Sequence, residues 1–346
     1  MTVADDRLSI AGAPPGICYA GPSLEHSLRR FGSRRERAFS SYRDLPAADG
    51  GFRSGWSVFG ADDELGTINH LTPERRVAAA RLVQTGVTIN LDHPLDLDLG
   101  LFKHRAPYQH HIFEILPRIL DERLDNLCPQ NSSQWDGFRH VGALPGFYND
   151  GISYEDAMLP GGRLGIDRIA MAGIFGRGVL LDVASHLSSE GRPLNPTARA
   201  EIPTSVLDEV AEAQGVKMQP GDILLLRFGV DSFLKAQVRG ETTERFGYSC
   251  PGLLPEESSL EWLWDNQIAA VVADNIAVET TPPRTPEARL HYPMIGLLGL
   301  TLGELFDLEI LAQACASQRR YEFLFTAKPL MVTGGVGSPA NAMATF

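Results

Sequence analysis

The sequence predicts an α/β protein with a mixed sheet, and three observations support this class. Short apolar segments typical of strands alternate with amphipathic segments typical of helices from about residue 65 onward. Segments 178–183 and 268–273 are almost continuously apolar, as expected for strands that are covered on both faces. The 346 residues include 34 glycines and 23 prolines, an excess over the average share that indicates many turns around a core.

The individual elements follow from local patterns. Thr72-Pro73-Glu74 predicts a helix start, because it combines a capping hydroxyl, a proline at the first helical position and an acid in the first turn. Gly86 ends that helical region. Similar patterns predict further helices at 164–175, 203–215, 256–266 and from Asp307 through Cys315, and strands at 87–91, 178–183, 223–228, 268–273, 321–327 and 329–332.

Two regions are expected along the chain. Residues 1–50 form a predicted N-terminal arm with one polar helix candidate at 23–39 and little strand character. Such a segment is ordered only by packing on something else, for example a neighbouring subunit. Residues 51–346 contain no linker long enough to divide them, so a single domain is predicted there.

Charge and composition exclude several partners. Lysine and arginine number 31 against 43 acidic residues, a net charge of −12, so we expect no nucleic-acid partner. The apolar runs are shorter than the roughly 20 residues of a membrane span, and the N-terminus lacks the pattern of an export signal. Four cysteines have no CxxC spacing, which favours free thiols. We therefore expect a cytoplasmic protein that acts on a small molecule.

One polar segment carries a candidate site. If 130–136 is extended, alternate side chains share a face, so Gln130, Gln134 and Asp136 direct oxygen atoms toward one point. His140 follows after a turn at Gly137. Three oxygen donors and an imidazole are able to coordinate a cation, although polar loops with one histidine are common.

His291 and Glu304 form a second candidate group. Glu304 lies in an apolar context, where a carboxylate is costly unless it is paired or bound to a metal. An ion pair with an arginine is the simpler explanation from the residues alone, so both alternatives remain open at this point. No nucleophile motif accompanies any cysteine or serine, which disfavours covalent catalysis.

Several collinear segments carry a family resemblance across about residues 50–346. They include Gly60-Ala61-Asp62-Asp63-Glu64-Leu65-Gly66-Thr67-Ile68-Asn69, Ser133-Gln134-Trp135-Asp136-Gly137, Gly176-Arg177-Gly178-Val179-Leu180-Leu181-Asp182-Val183, Ala273-Asp274-Asn275, and Val332-Thr333-Gly334-Gly335-Val336-Gly337-Ser338-Pro339. The chain thereby resembles the cyclase family that includes kynurenine formamidase and isatin hydrolase. This resemblance implies a cyclase-like swivelling β/β/α fold with a mixed sheet, assembled as a homodimer or homotetramer.

The resemblance also implies a metal centre, with one departure. The family motif His-x-Gly-Thr-His-x-Asp-x-Pro-x-His aligns with 130–140, so Gln130 and Gln134 replace its first two histidines. Asp136 is retained as a metal ligand, His291 and Glu304 match the distal ligands, and Gln134 adds a carbonyl oxygen. A carboxamide is a weaker ligand than an imidazole. We therefore expect one divalent ion, manganese or zinc with magnesium a further candidate, held weakly or absent.

The implied reaction is hydrolysis of a small cyclic or aryl amide, imide or lactone. A bound cation lowers the pKa of its water, which is the nucleophile, and His140 acts as general acid and base. Trp135, Phe138 and Gln130 are the predicted substrate-binding residues, although packing beneath the loop explains the two aromatic side chains equally well. Two alternatives remain open: a non-hydrolytic cyclase or dehydratase on the same scaffold, and a ligand-binding protein without metal.

Overall fold

The computed structural model describes residues 39–97, 102–142, 146–285 and 289–346. Most of the predicted arm, including its helix candidate up to residue 38, lies outside these ranges. A compact unit begins at Ser40. Tyr42 is fully buried, and its backbone N–H donates to the Asp265 carboxylate at 2.7 Å, so residues 40–50 pack onto the folded body.

The helices in the described ranges are α1 (Pro73–Ala80), α2 (Tyr154–Ala157), α3 (Ile166–Ala172), α4 (Val183–Ser189), α5 (Thr204–Gln214), α6 (Val230–Val238), α7 (Glu257–Asp265) and α8 (Glu309–Gln318). The sequence predicts α1, α3, α5, α7 and α8, but not α2, α4 and α6. The Thr72 side chain accepts a hydrogen bond from the Arg75 backbone, as its capping role predicts. Helix α5 ends at Gly215, which adopts a left-handed conformation suited to glycine.

A nine-stranded mixed sheet forms the centre of the protein, which confirms the predicted fold class. Its order is β1-β13-β11-β5-β7-β9-β10-β4-β12. The strands are β1 (Thr88–Asn90), β4 (Gln134–Asp136), β5 (Ile174–Leu181), β7 (Ile223–Leu226), β9 (Ala270–Ala273), β10 (Thr301–Glu304), β11 (Glu322–Ala327), β12 (Gly337–Pro339) and β13 (Ala342–Thr345). Strands β5, β7, β9 and β10 run parallel, and their neighbours on both sides are antiparallel.

The parallel centre of the sheet is the most buried part of the fold. All residues of β7 and β9 are buried, as their continuous apolar runs predict. Two smaller ribbons complete the strands: β6 (Ala200–Ile202) with β8 (Pro251–Leu253), and the hairpin of β2 (Gln109–Leu116) with β3 (Ile119–Asp125). His110 and His111 lie exposed on opposite faces of that hairpin, where they pair with Glu122 and Asp125.

Several predicted boundaries are wrong, and the reasons are local. The helix predicted at 164–175 ends at Gly173, whose φ of 68° stops it, and β5 begins directly afterwards. The strand predicted through residue 183 ends earlier, because the Asp182 side chain accepts from Ser185 and starts α4. Asp307 does not cap α8, since it pairs with Lys235 instead.

The strand predicted at 329–332 is also wrong. The chain there forms a turn region in which Gly334 has a φ of 67°, and strand pairing is delayed to β12. No helix within the described ranges is long and apolar enough to cross a membrane.

Candidate metal centre

Antiparallel pairing of β4 with β10 creates the first part of the site. In this register Gln134 is opposite Glu304 and Trp135 is opposite Gly303. Directly opposed residues project to the same face, and the Gln134 amide accordingly donates to Glu304 Oε2 at 2.6 Å. Both side chains are buried. The register of β4 against β10 thus brings together Gln134 and Glu304, which are 170 positions apart in the sequence.

Asp136 lies two residues further along β4 and therefore on the same face. Its carboxylate is fully buried, and neither oxygen has a hydrogen-bond partner among the described residues. Burial and, next, the negative charge of Glu304 raise the pKa of Asp136 to about 6. A buried carboxylate without donors is stabilised by a cation or by protonation.

His291 arrives from the opposite side of the site, immediately before a π-helical turn at Tyr292–Leu297. Its Nε2 lies 2.8 Å from Glu304 Oε1, and its Nδ1 lies 2.7 Å from Glu279 Oε2. Burial lowers the pKa of His291, but Glu279 and Glu304 outweigh it and hold that pKa well above its ordinary value. Single π turns frequently occur at functional sites, because they shift one side chain out of helical register.

Glu279 is a site residue that the sequence suggests only by its position after a buried strand. The loop that follows β9 is held by Asn275, whose side-chain oxygen accepts from the Val278 backbone at 2.8 Å. Its amide donates to the Pro251 carbonyl at 2.8 Å. This bracing directs Glu279 at His291, where it fixes the orientation of the ring.

His140 completes the group after the turn at Gly137. Its Nε2 lies 3.7 Å from Asp136 Oδ2, and its ring centre is 6.4 Å from that of His291. The ring is half-buried and faces the cavity. It therefore lies beside the carboxylates without being enclosed by them, a position suited to proton exchange with a bound molecule.

A cavity of about 560 Å³ is lined by these groups except Asp136, which is fully buried. That volume lies within the usual range of small-molecule sites, about 300–1,000 Å³. Its walls combine the polar cluster with aromatic side chains, namely Phe52, Phe102, Tyr248 and Tyr292. The cavity can therefore accept a small molecule with a flat apolar part and a polar reacting group.

The predicted substrate wall at Trp135 and Phe138 is wrong in this structure. Trp135 points to the opposite face of β4, where it packs against Phe306 and donates to the Ala340 carbonyl. Phe138 is buried against Tyr148. Gln130 does line the cavity, but it lies in a 3-10 turn at Pro129–Asn131 and not on a strand with Gln134.

The bare side chains fit a single divalent cation. One ligand atom each from Asp136, His291 and Glu304 lies within 4.8 Å of the others. The Asp136 oxygens and Gln134 Oε1, which have no hydrogen-bond partner in the part of the chain that the structure describes, supply further lone pairs. Oxygen and imidazole ligands suit manganese and zinc, and a carboxylate on the second nitrogen of a ligand histidine is the usual supporting contact.

A second group of three possible ligands lies on the surface, formed by His186, Glu190 and Glu209. Arg192 already pairs with both glutamates. The two carboxylates are exposed and already share this arginine, so we assign no site there.

Fold and site together define a mixed α/β protein with a carboxylate-rich pocket suited to one cation. The family described as "Putative cyclase" matches residues 89–280. A solved structure described as a novel cyclase is 33% identical, covers 85% of this chain and 99% of its own, and superposes with a TM-score of 0.73. The chain belongs to the cyclase family.

Two more distant structures show the same fold. Isatin hydrolase A from Labrenzia aggregata is 15% identical, with 77% of this chain and 94% of that one covered and a TM-score of 0.53. Isatin hydrolase A from Ralstonia solanacearum is 16% identical, with 79% and 95% covered and a TM-score of 0.51. No curated protein matches the chain.

Proposed function

We propose that the protein is a metal-dependent hydrolase of a small cyclic or aryl amide, imide or lactone. The observation that carries this proposal is the Asp136 carboxylate, which is fully buried, has no hydrogen-bond donor among the described residues and faces His291 and Glu304. A buried carboxylate in that environment is stabilised by a nearby positive charge, which a divalent ion shared with His291 and Glu304 would supply. The naming of two fold neighbours as isatin hydrolases is consistent with hydrolysis, although that likeness concerns the fold alone.

The residues have separate roles in this proposal. Asp136, His291 and Glu304 hold one divalent ion, with Gln134 Oε1 as an additional ligand. When bound, such an ion polarises a substrate carbonyl and acidifies water. Glu279 keeps the His291 ring oriented through Nδ1, so that Nε2 faces the site.

His140 performs the proton transfers. It lies on the cavity wall with Nε2 3.7 Å from Asp136 Oδ2, beside the carboxylate cluster where the reacting group would bind. It accepts a proton from the attacking water and returns it to the leaving nitrogen or oxygen. The aromatic walls hold the ring of the substrate and reduce the access of bulk water.

Metal content tests the first half of this proposal. Protein purified without added metal, then titrated with manganese and zinc, should bind about one equivalent. Asp136→Asn should weaken that binding, while Asp125→Asn on the exposed hairpin should not. A stoichiometry near zero with every cation tried would overturn the metal centre and favour the ligand-binding alternative.

Turnover tests the second part of the proposal, which is hydrolysis with His140 as general acid and base. A panel of formamides, imides and lactones should include compounds from which the protein releases acid, and mass analysis distinguishes added water from ring closure or dehydration. His140→Ala should abolish turnover with metal affinity retained, whereas His110→Ala should remain active. Full activity of the His140 variant would remove this residue from the mechanism.

The homo-oligomeric state and the cytoplasmic location that are expected from the sequence remain predictions.

A further inference from the structure

Arg105 brings a positive charge to the cavity that holds the carboxylate cluster. Its guanidinium lies over the Phe102 ring, 3.9 Å from the ring centre. Nη1 donates to the Gln130 carbonyl and, at 3.0 Å, to Asn131 Oδ1. The head group is therefore fixed by neutral partners and by a ring face.

Arg105 differs from two other half-buried arginines of the fold, Arg177 and Arg227. Arg177 pairs with the carboxylates of Asp222 and Glu322, and Arg227 pairs with two carboxylates in the same way. Within the parts of the chain that the structure describes, no carboxylate forms an ion pair with Arg105. Its charge is thus available to a molecule in the cavity, and the two hydrogen bonds on Nη1 leave the rest of the planar fork for bidentate contact.

Arg105 adds a positive charge to the cavity that also holds the acidic cluster. Burial lowers the pKa of Arg105, and the nearby Cys128, Asp136 and Glu304 oppose that shift. The guanidinium is not hydrogen-bonded to either carboxylate. A molecule in the cavity can therefore contact both the acidic cluster and a fixed guanidinium, on walls that also carry aromatic side chains.

We propose that Arg105 binds a carboxylate of the substrate, so that the substrate is an anionic aryl amide rather than a neutral one. This inference rests on the proposed function for the identity of the reacting bond. Arg105 acts here as a residue that determines specificity, because it contacts a part of the substrate that does not react. A purely structural role, in which Arg105 only holds the 129–131 turn, is the alternative that the experiment must separate.

The test compares matched substrates on the metal-loaded protein. Formanilide is the neutral probe, its ortho, meta and para carboxylates are the anionic probes, and their methyl esters control for size. One carboxylate isomer should exceed both formanilide and its own ester by about 10-fold or more in kcat/KM, as expected for a charge-assisted, desolvated contact. Equal values for acid and ester in the unmodified protein would overturn the proposal.

Variants then assign the preference to a residue. Arg105→Met should raise KM for the preferred acid by about 10-fold or more while changing formanilide less than about 3-fold, and Arg105→Lys should restore part of the loss. Arg289→Met is the matched control, because Arg289 is an exposed arginine lining the same cavity. Loss of the preference in the Arg289 variant only, or equal losses for acid and neutral probe in Arg105→Met, would overturn the assignment.

Calorimetric binding separates this inference from the proposed function. Carboxylated acetanilides and acetanilide are titrated into the unmodified protein and Arg105→Met, each with and without manganese. If no anilide is hydrolysed but the acid binds more tightly than acetanilide, and Arg105→Met loses that difference, the hydrolase proposal fails and the anion site stands. If anilides are hydrolysed without any preference for the acid, the anion site fails and the hydrolase stands. Absence of both binding and hydrolysis overturns both.

Discussion

Glu279 is predicted to control metal affinity without touching the ion. Its Oε2 lies 2.7 Å from His291 Nδ1, and the side chain is buried. This contact keeps the second nitrogen of His291 directed at Asp136 and Glu304 and makes the imidazole a stronger electron donor. Glu279→Gln preserves the size and shape of the side chain but removes the negative charge.

The expected magnitude follows from the contact that is weakened. A hydrogen bond to a charged group contributes about 1.5–3 kcal/mol, and loss of a supporting carboxylate typically reduces metal affinity by about 10- to 100-fold. Since a tenfold change corresponds to about 1.4 kcal/mol, the two ranges agree. Glu279→Gln should therefore weaken manganese or zinc binding by about 10- to 100-fold.

Competition with a chelator of known affinity measures this change. Glu322→Gln is the control, because Glu322 is also a glutamate in a partly buried contact but pairs with Arg177 and does not line the cavity. An unchanged affinity in Glu279→Gln, with the fold intact by circular dichroism, would refute the argument that this carboxylate supports the ligand. An equal loss in the control variant would indicate a general effect of stability.

Three further predictions concern stability, each measured by urea unfolding. The Asp274 carboxylate accepts hydrogen bonds from the Phe228 and Gly229 backbone at the start of α6. Asp274→Ala should therefore lower the free energy of unfolding by about 2–4 kcal/mol, and Asp274→Asn should lower it less. Equal losses in the two variants would contradict a capping role. A Cβ atom at Gly303 would lie 2.8 Å from the Phe306 ring. Gly303→Ala should therefore lower the free energy of unfolding by about 1–3 kcal/mol through overpacking. An unchanged free energy would show that the ring moves freely. Burial, aided by Arg75, lowers the pKa of His70 from 6.5 to about 3. As the pH falls, the unfolded chain therefore takes up the proton first, and the stability present above pH 6.5 is lost progressively toward pH 3. The loss is about 1 kcal/mol between pH 6.5 and 5.5. His70→Gln should remove this part of the pH dependence of the free energy of unfolding, and parallel pH profiles for the variant and the unmodified protein would contradict the prediction.

Much of the local structure could be predicted from the sequence, because the patterns concerned involve near neighbours. Thr72 caps its helix through a contact three residues away, and the strands at 223–226 and 270–273 are buried as their apolar runs predict. Errors arose where a single residue ends one element, as at Gly173, or where a side chain found a distant partner, as Asp307 did with Lys235. Neither a single residue that ends an element nor an ion pair with a distant partner leaves a periodic signal in the sequence.

For the candidate site, the sequence by itself determined the chemical inventory: the carboxylates, imidazoles and amides of 130–140, 291 and 304. Only the tertiary structure decided which of these groups meet. The pairing of β4 with β10 joins Gln134 to Glu304 and turns Trp135 into the core, and no donor among the described residues reaches Asp136. Glu279 and Arg105 joined the site through packing as well. Their contacts with His291 and Asn131 span 12 and 26 positions, whereas Gln134 and Glu304 are 170 positions apart, and no periodic pattern encodes which of these segments meet.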